Sequence, residues 1–264
     1  MKHEALFSCP VCNNRLLVTD GSLRCENGHS FDRAKSGYVN LLLRNSAGKR
    51  HGDDAAMVAA RKVFLDNGYY APLREAVADC VGAGHRVLDA GCGEGYYTAK
   101  LAENNTVCGI DISKNALKYA AKRCPDCEFA VASIAHIPLG DASVDTVVSI
   151  FAPENIAEFR RVLSKGGRWI TVMPMEDHLW ELKCAVYDTP YRNPAVCTER
   201  EGLVLRSHRE LQYTVTLHSH EDVVSLFQMT PYYYKTSATD QQKLDTINHL
   251  TTSVEFYIAE YIVS

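Results

Sequence analysis

Four side chains near the N-terminus have the types and spacing of a metal site. Cys9-Pro10-Val11-Cys12 is followed twelve residues later by Cys25-Glu26-Asn27-Gly28-His29, the pattern C-x2-C-x12-C-x3-H. Zinc takes four soft or borderline ligands in a tetrahedron, and two close pairs on opposing turns supply them at little cost in chain entropy. Pro10 and Gly28 favour the tight turns that aim two ligands at one centre. A segment of about 30 residues has too little apolar surface to fold alone, so a metal would supply the missing stability. Zn2+ held by Cys9, Cys12, Cys25 and His29 is therefore expected. Cys124-Pro125-Asp126-Cys127 repeats the C-x2-C spacing without a second pair, and its Pro-Asp centre reads as a turn. Cys80, Cys108, Cys184 and Cys197 are isolated and are expected as small buried apolar residues.

A second constellation is Val87-Leu88-Asp89-Ala90-Gly91-Cys92-Gly93-Glu94-Gly95-Tyr96-Tyr97. Glycines between a strand and a helix let the backbone approach a nucleoside closely. Dinucleotide sites carry G-x-G-x-x-G with a pyrophosphate on the helix N-terminus. Here the spacing is G-x-G-x-G, and Asp89 ends the strand, where a carboxylate repels phosphate but can hold the ammonium of a methionine moiety. S-adenosylmethionine is therefore favoured over a nicotinamide dinucleotide. Asp111, 18 residues past Gly93, can take both ribose hydroxyls in either case. Gly91 and Gly93 belong to the same loop. Ala132-Ser133 is in position to meet the adenine, and Ile150-Phe151-Ala152-Pro153 faces the transferred methyl. No Asn-Pro-Pro-Tyr-type tetrapeptide follows that strand, which argues against an exocyclic-amine methylase, and no cysteine lies there to support covalent attack on a pyrimidine. Phe151 reads equally as core or as a surface that stacks on a base.

These residues need elements to position them. From Ala55 to Val81 apolar residues recur at helical spacing, interrupted near Asn67-Gly68 and Pro72, which predicts two helices. Strands are predicted at Arg86–Ala90, Val107–Asp111, Glu128–Ala132, Val144–Ile150 and Trp169–Met173. Helices are predicted at Tyr96–Glu103, Lys114–Lys122 and Ile156–Leu163. This rhythm gives an α/β fold, a Rossmann-like doubly wound sheet, with a small zinc module in front. Past Pro174 come an amphipathic stretch at His178–Tyr187, a polar passage to about Arg209, an alternating Leu211–Leu217, a helix at Glu221–Gln228 and a β-branched end at Val254–Val263. The expected division is a zinc module over 1–43, a basic linker over 44–54 and a methyltransferase domain over 55–264.

The 264 residues suffice for one large domain and a small module, and no apolar run reaches the length of a membrane span. The start lacks the layout of a signal peptide, so a cytoplasmic location, reduced thiols and no membrane partner are expected. The net charge is −4, yet residues 1–50 hold eight Lys and Arg against four Asp and Glu, and the remainder 20 against 28. A basic front on an acidic body has the form of a local nucleic-acid footprint; an uneven solvated surface is the bland alternative.

Beyond the zinc pattern and the glycine loop stand Phe7-Ser8 before Cys9, Ser30-Phe31-Asp32 after His29, Lys35-Ser36-Gly37-Tyr38-Val39-Asn40-Leu41-Leu42, and Arg61 with Phe64-Leu65-Asp66-Asn67-Gly68-Tyr69-Tyr70. Later come His178-Leu179, Glu181-Leu182-Lys183 and Leu226-Phe227-Gln228-Met229-Thr230-Pro231. In combination the chain resembles the RlmA-type guanine-N1 methyltransferases of large-subunit (23S) ribosomal RNA over almost its whole length. Residues 188–210 and the last thirty carry little of the likeness. The resemblance implies a zinc module that helps bind a ribosomal RNA hairpin and a domain that delivers the methyl group of S-adenosyl-L-methionine. By motif position it implies cofactor contacts at Tyr70, Gly93, Glu94 and His178; Tyr70 as core and His178 as a satisfied ordinary histidine are the alternatives. His178 and Glu154 are candidates for accepting the guanine N1 proton. Arg44, Lys49, Arg50, Arg61 and Lys62 are expected phosphate contacts. A small-molecule methyltransferase with a structural zinc module, and a non-catalytic RNA-binding protein that senses the cofactor, are the rival readings. The residues leave open a homodimer, the identity of the guanine, and a role in antibiotic resistance as against ribosome function.

Overall fold

In the computed structural model, which describes residues 4–43 and 52–263, the ligand pairs sit on turns of a four-stranded antiparallel sheet. Its strands run in spatial order β1 (Glu4–Ser8), β2 (Arg15–Thr19), β3 (Ser22–Arg24) and β4 (Ser30–Asp32). Cys9 and Cys12 lie in the β1–β2 turn, where the Asn13 backbone adopts a left-handed φ of 58° and donates to the Cys9 carbonyl at 2.8 Å. Cys25 and His29 flank the turn between β3 and β4, and Gly28, at φ 82°, donates to the Cys25 carbonyl at 3.0 Å. Asparagine and glycine are the residues that tolerate this region best, which is why both turns close tightly.

Next come β5 (Val39–Asn40), α1 (Ala55–Asp66) and α2 (Ala71–Val81). Asp54 caps α1, its carboxylate accepting from the Met57 backbone N–H at 2.9 Å, and Pro72 lies in the first turn of α2, where a missing N–H costs nothing. The alternating region supplies β6 (Arg86–Ala90), α3 (Tyr96–Leu101), β7 (Thr106–Asp111), α4 (Lys114–Arg123), β8 (Glu128–Val131), β9 (Val144–Ile150), α5 (Ile156–Val162) and β10 (Leu163–Pro174). The chain ends with α6 (Trp180–Val186), β11 (Leu203–Leu217), α7 (His220–Gln228), α8 (Ala238–Gln242) and β12 (Leu250–Val263).

One sheet of order β11-β12-β10-β9-β6-β7-β8-β5 results. The six strands from β10 to β5 are parallel, as the βα rhythm predicts, whereas β12 runs antiparallel to β10 and β11 antiparallel to β12. The sheet is therefore mixed. Successive residues of each strand serve opposite faces. Val87, Ile170 and Phe256 pack with Phe64, Leu73, Leu182 and Leu226 of the flanking helices. Their neighbours Leu88, Trp169 and Tyr257 face the other way, into a core shared with Phe159 of α5 and with Phe7, Leu16 and Leu23 of the small sheet. The zinc module is thus set into the second face of the large sheet. Backbone bonds reinforce the join, from Ser8 N–H to the Pro138 carbonyl at 2.8 Å and from Leu6 N–H to the Glu128 carboxylate at 3.0 Å.

Three expectations change. Val39–Asn40, assigned by sequence to the zinc module, pairs in parallel with Ala130–Val131 and forms the edge of the large sheet. The strand expected at Leu211–Leu217 begins at Leu203, because its ladder to β12 holds the backbone while side chains from Val204 to Glu210 stay largely exposed. Cys184 and Cys197 are exposed rather than buried. Residues 44–51 of the expected linker, including Arg44, Lys49 and Arg50, lie outside the described residues. Among the described residues no helix is long and apolar enough to cross a membrane.

Candidate active site and metal centre

Strand ends and helix starts converge at the carboxyl edge of β6, β7 and β9 around a cavity of about 1050 Å³. Asp89, near the end of β6, is buried and accepts a 2.6 Å hydrogen bond from the Thr98 hydroxyl. Burial, opposed by the Thr98 bond and reinforced by the carboxylates of Asp111 and Glu94, pushes its pKa up to about 7. Asp111 ends β7 and accepts from Gly93 N–H at 3.0 Å and Ser113 N–H at 2.7 Å, which locks the glycine loop to the second strand. Burial raises the pKa values of Asp111 and Glu94 as well. Two buried carboxylates, Asp89 and Glu94, beside the half-buried Asp111 favour a cationic ligand.

The loop's glycines are required by space as well as by φ. A Cβ on Gly91, at φ 87°, would lie 2.6 Å from the Ala152 Cβ, and one on Gly95, at φ 83°, would lie 2.9 Å from the Ala120 Cα. Gly91 therefore lets the segment after β9 pack directly on the loop after β6. Glu94 is buried with its Oε1 unpartnered, and the Tyr97 hydroxyl, also in the cavity wall, is likewise unpartnered. Such acceptors and donors cost free energy unless a ligand meets them, so the cavity fits a nucleoside carrying an ammonium group.

The opposite wall is built from α1, from Tyr70 just ahead of α2, from His178 and Leu179 just ahead of α6, and from Met229–Tyr232 after α7. Tyr70 and His178 both line the cavity and are buried, with the Tyr70 hydroxyl 3.5 Å from His178 Nε2. The Glu255 backbone N–H donates to His178 Nδ1 at 3.1 Å, so the neutral ring carries its proton on Nε2. Burial, with Lys183 nearby, lowers its pKa to about 3. His178 is therefore a poor proton acceptor. Glu154 also faces the cavity, but both its oxygens are held by Arg200, at 2.7 and 3.1 Å. Both proton-acceptor candidates are thus already engaged by other groups in this geometry.

Sequence reasoning missed Arg61 as a wall residue. Met57, Arg61 and Leu65 are spaced i, i+4, i+8 on α1 and all line the cavity; that helical face was the available signal. Arg61 is paired with Asp53 and Lys62 with Asp66, so neither is presented as a lone phosphate-binding cation. Ala132 and Ser133 do line the cavity, as does Phe151, which is 47% exposed and hence not core.

At the metal centre one ligand atom from each of Cys9, Cys12, Cys25 and His29 lies within 4.8 Å of the others. Cys12 and Cys25 sulfurs are 3.7 Å apart, and His29 Nδ1 is 3.3 Å from Cys25 Sγ and 3.6 Å from Cys9 Sγ. A tetrahedron with zinc–sulfur bonds of 2.3 Å has sulfur–sulfur edges of about 3.8 Å, so the spacing suits zinc. The Asn14 backbone N–H and neighbouring side chains lower Cys12 to about 6, whereas burial pushes Cys9 up to about 11. A bound cation is what would hold all three sulfurs as thiolates together.

Known families match both parts of the chain. The RlmA N-terminal zinc-ribbon model matches residues 7–45, and a methyltransferase-domain model matches residues 87–167. A Streptomyces fradiae protein named 23S rRNA (guanine(748)-N(1))-methyltransferase is 42% identical over 184 residues, covering 66% of this chain and 65% of its own length. YxjB of Bacillus subtilis (strain 168), provisionally named a 23S rRNA (guanine-N(1)-)-methyltransferase, is 35% identical over 253 residues and 86% of each chain. Among solved structures, the YcgJ protein of Bacillus subtilis shares the fold at TM-score 0.50 and 14% identity, over 72% of this chain and 97% of its own. The chain belongs to the RlmA-type family of 23S rRNA (guanine-N1)-methyltransferases.

Proposed function

We propose that this protein transfers a methyl group from S-adenosyl-L-methionine to N1 of a guanine in a hairpin of 23S ribosomal RNA. The observation that carries the reading is the union of a Cys3His zinc ribbon with the same sheet that forms the cofactor cavity. A generic methyl-donor site does not need that module; two relatives that match this chain over about two thirds or more of their length are named for this reaction. The module reaches to about residue 38, the linker spans 44–54, and the catalytic domain runs over 55–264, with β5 completing its sheet.

When bound, the cofactor supplies an activated methyl on a sulfonium. Asp89 would hold its ammonium, Asp111 its ribose hydroxyls and Glu94 a further donor, while Gly91 and Gly93 admit it to the backbone and Tyr70 and His178 wall it in. His178 presents a neutral ring with a protonated Nε2, and Arg200 occupies the Glu154 carboxylate. Acceleration then rests on holding guanine N1 in line with the methyl, with the N1 proton released to water rather than to a dedicated base. N1 lies on the Watson–Crick edge, so the base must be unpaired and turned outward, which suits a hairpin loop.

The test is incubation of the zinc-loaded protein with unmodified 23S rRNA and cofactor, followed by digestion to nucleosides and mass spectrometry. Formation of 1-methylguanosine, absent without the protein, is expected. Methylation of small metabolites in place of RNA would instead favour the rival enzyme reading.

A further inference from the structure

Phe151 has three properties that do not fit a packing residue. It follows directly on β9, one strand from the cofactor strand β6, and its side chain helps wall the cavity. Its φ is +53°, a region bulky residues avoid. It is also 47% exposed, so burial does not repay the strain. Of the four non-glycine residues with positive φ among those described, two, Phe151 and Leu179, line this cavity.

The surroundings say what the strain achieves. Ala152 is seated against Gly91 so closely that no side chain fits between them, which fixes the turn at Phe151 to the cofactor loop. The ring stands 5.7 Å from the Phe256 ring and 6.5 Å from the His178 ring, centroid to centroid, leaving much of itself open. An open aromatic surface beside a methyl-donor site is matched by a flat, unstacked heterocycle.

We infer that Phe151 is the platform on which the target guanine stacks during methyl transfer. The inference rests on the guanine-N1 reading given above. The left-handed turn aims the ring into the cavity mouth, and Ala152 on Gly91 sets its distance from the cofactor loop.

The experiment compares wild type with Phe151→Ala, Phe151→Gly and Phe151→Tyr on unmodified 23S rRNA, with cofactor affinity and melting temperature measured in parallel. Removing the ring should lower kcat/KM for RNA by about 5- to 150-fold. Cofactor Kd should change by less than about threefold, and Phe151→Tyr should restore most of the activity. Phe151→Gly should melt above Phe151→Ala, reversing the usual order, because only glycine tolerates the turn. Wild-type methylation with equal methylation by Phe151→Ala would overturn the platform alone, as would a Phe151→Tyr variant no better than Phe151→Ala. No methylation of the RNA by the wild-type protein would overturn the substrate reading and the platform with it.

Discussion

Replacing Asp89 by asparagine should stabilise the cofactor-free protein while crippling cofactor binding. Asp89 has a folded pKa of about 7 against an ordinary value of 3.8, chiefly through burial and then through its neighbours Asp111 and Glu94. Between those two values the folded state binds more protons than the unfolded state. Stability contributed by this group is therefore fully present below about pH 4 and is lost as pH rises through 7. About three pH units correspond to at most about 4 kcal/mol of penalty at pH 8. Asparagine carries no such penalty, and its carbonyl can still accept the Thr98 hydroxyl bond. A gain of at least about 1 kcal/mol at pH 8 is expected, or about 2–4 °C in melting temperature, shrinking toward pH 5. Cofactor affinity should fall at least about tenfold, since a neutral amide replaces the ammonium's counter-charge. Thermal unfolding at pH 5 and pH 8, with and without S-adenosylmethionine, checks both halves. An Asp89→Asn protein that melts at or below wild type at pH 8, or that is stabilised by the cofactor as strongly as wild type, would refute the reasoning.

Elemental analysis should find one zinc per chain, and chelation should release hydrogen-exchange protection across residues 4–32, where zinc binding is worth on the order of 10 kcal/mol; unchanged protection after metal loss would count against a structural zinc. Gly91→Ala forces a Cβ to within 2.6 Å of the Ala152 Cβ at φ 87°, and should cost about 1–3 kcal/mol in denaturant melts and weaken cofactor binding measured by calorimetry. His178, held at about 3 by burial, contributes stability that is present above its unfolded pKa of about 6.5 and is lost as pH falls toward 3. Urea melts should therefore show His178→Gln losing about 2–3 kcal/mol less than wild type between pH 6.5 and 4.5.

Both chemical centres were legible in the sequence, because each depends on local spacing. C-x2-C and C-x3-H build turns within a few residues, and Asp89 to Tyr97 is one strand–turn–helix. What escaped depends on distant partners. Val39–Asn40 is only two residues long, and nothing in it announces pairing with β8. The first half of β11 shows no apolar alternation because its outer side chains face solvent, although its backbone is paired along β12. Arg61 was assigned to phosphate because charge alone does not reveal which face of α1 turns inward. At Phe151 the residue type says nothing of a positive φ; that turn is imposed by Ala152 meeting Gly91 across the sheet edge. Likewise, the loss of basicity at His178 comes first from burial and then from Lys183, and part of that burial is supplied from far along the chain by Phe256 of β12, whose ring centroid lies 4.8 Å from the His178 ring.

The central claim is methyl transfer to guanine N1, and reverse transcription reads that atom directly. A methyl on N1 blocks Watson–Crick pairing and halts primer extension one nucleotide before the modified base. With unmodified 23S rRNA, the zinc-loaded protein and S-adenosylmethionine, one new stop beside a loop guanine is expected, and it should vanish when the cofactor is left out. Primer extension that runs through every guanine, with the methyl group recovered elsewhere in the RNA or on a small acceptor, would contradict the account.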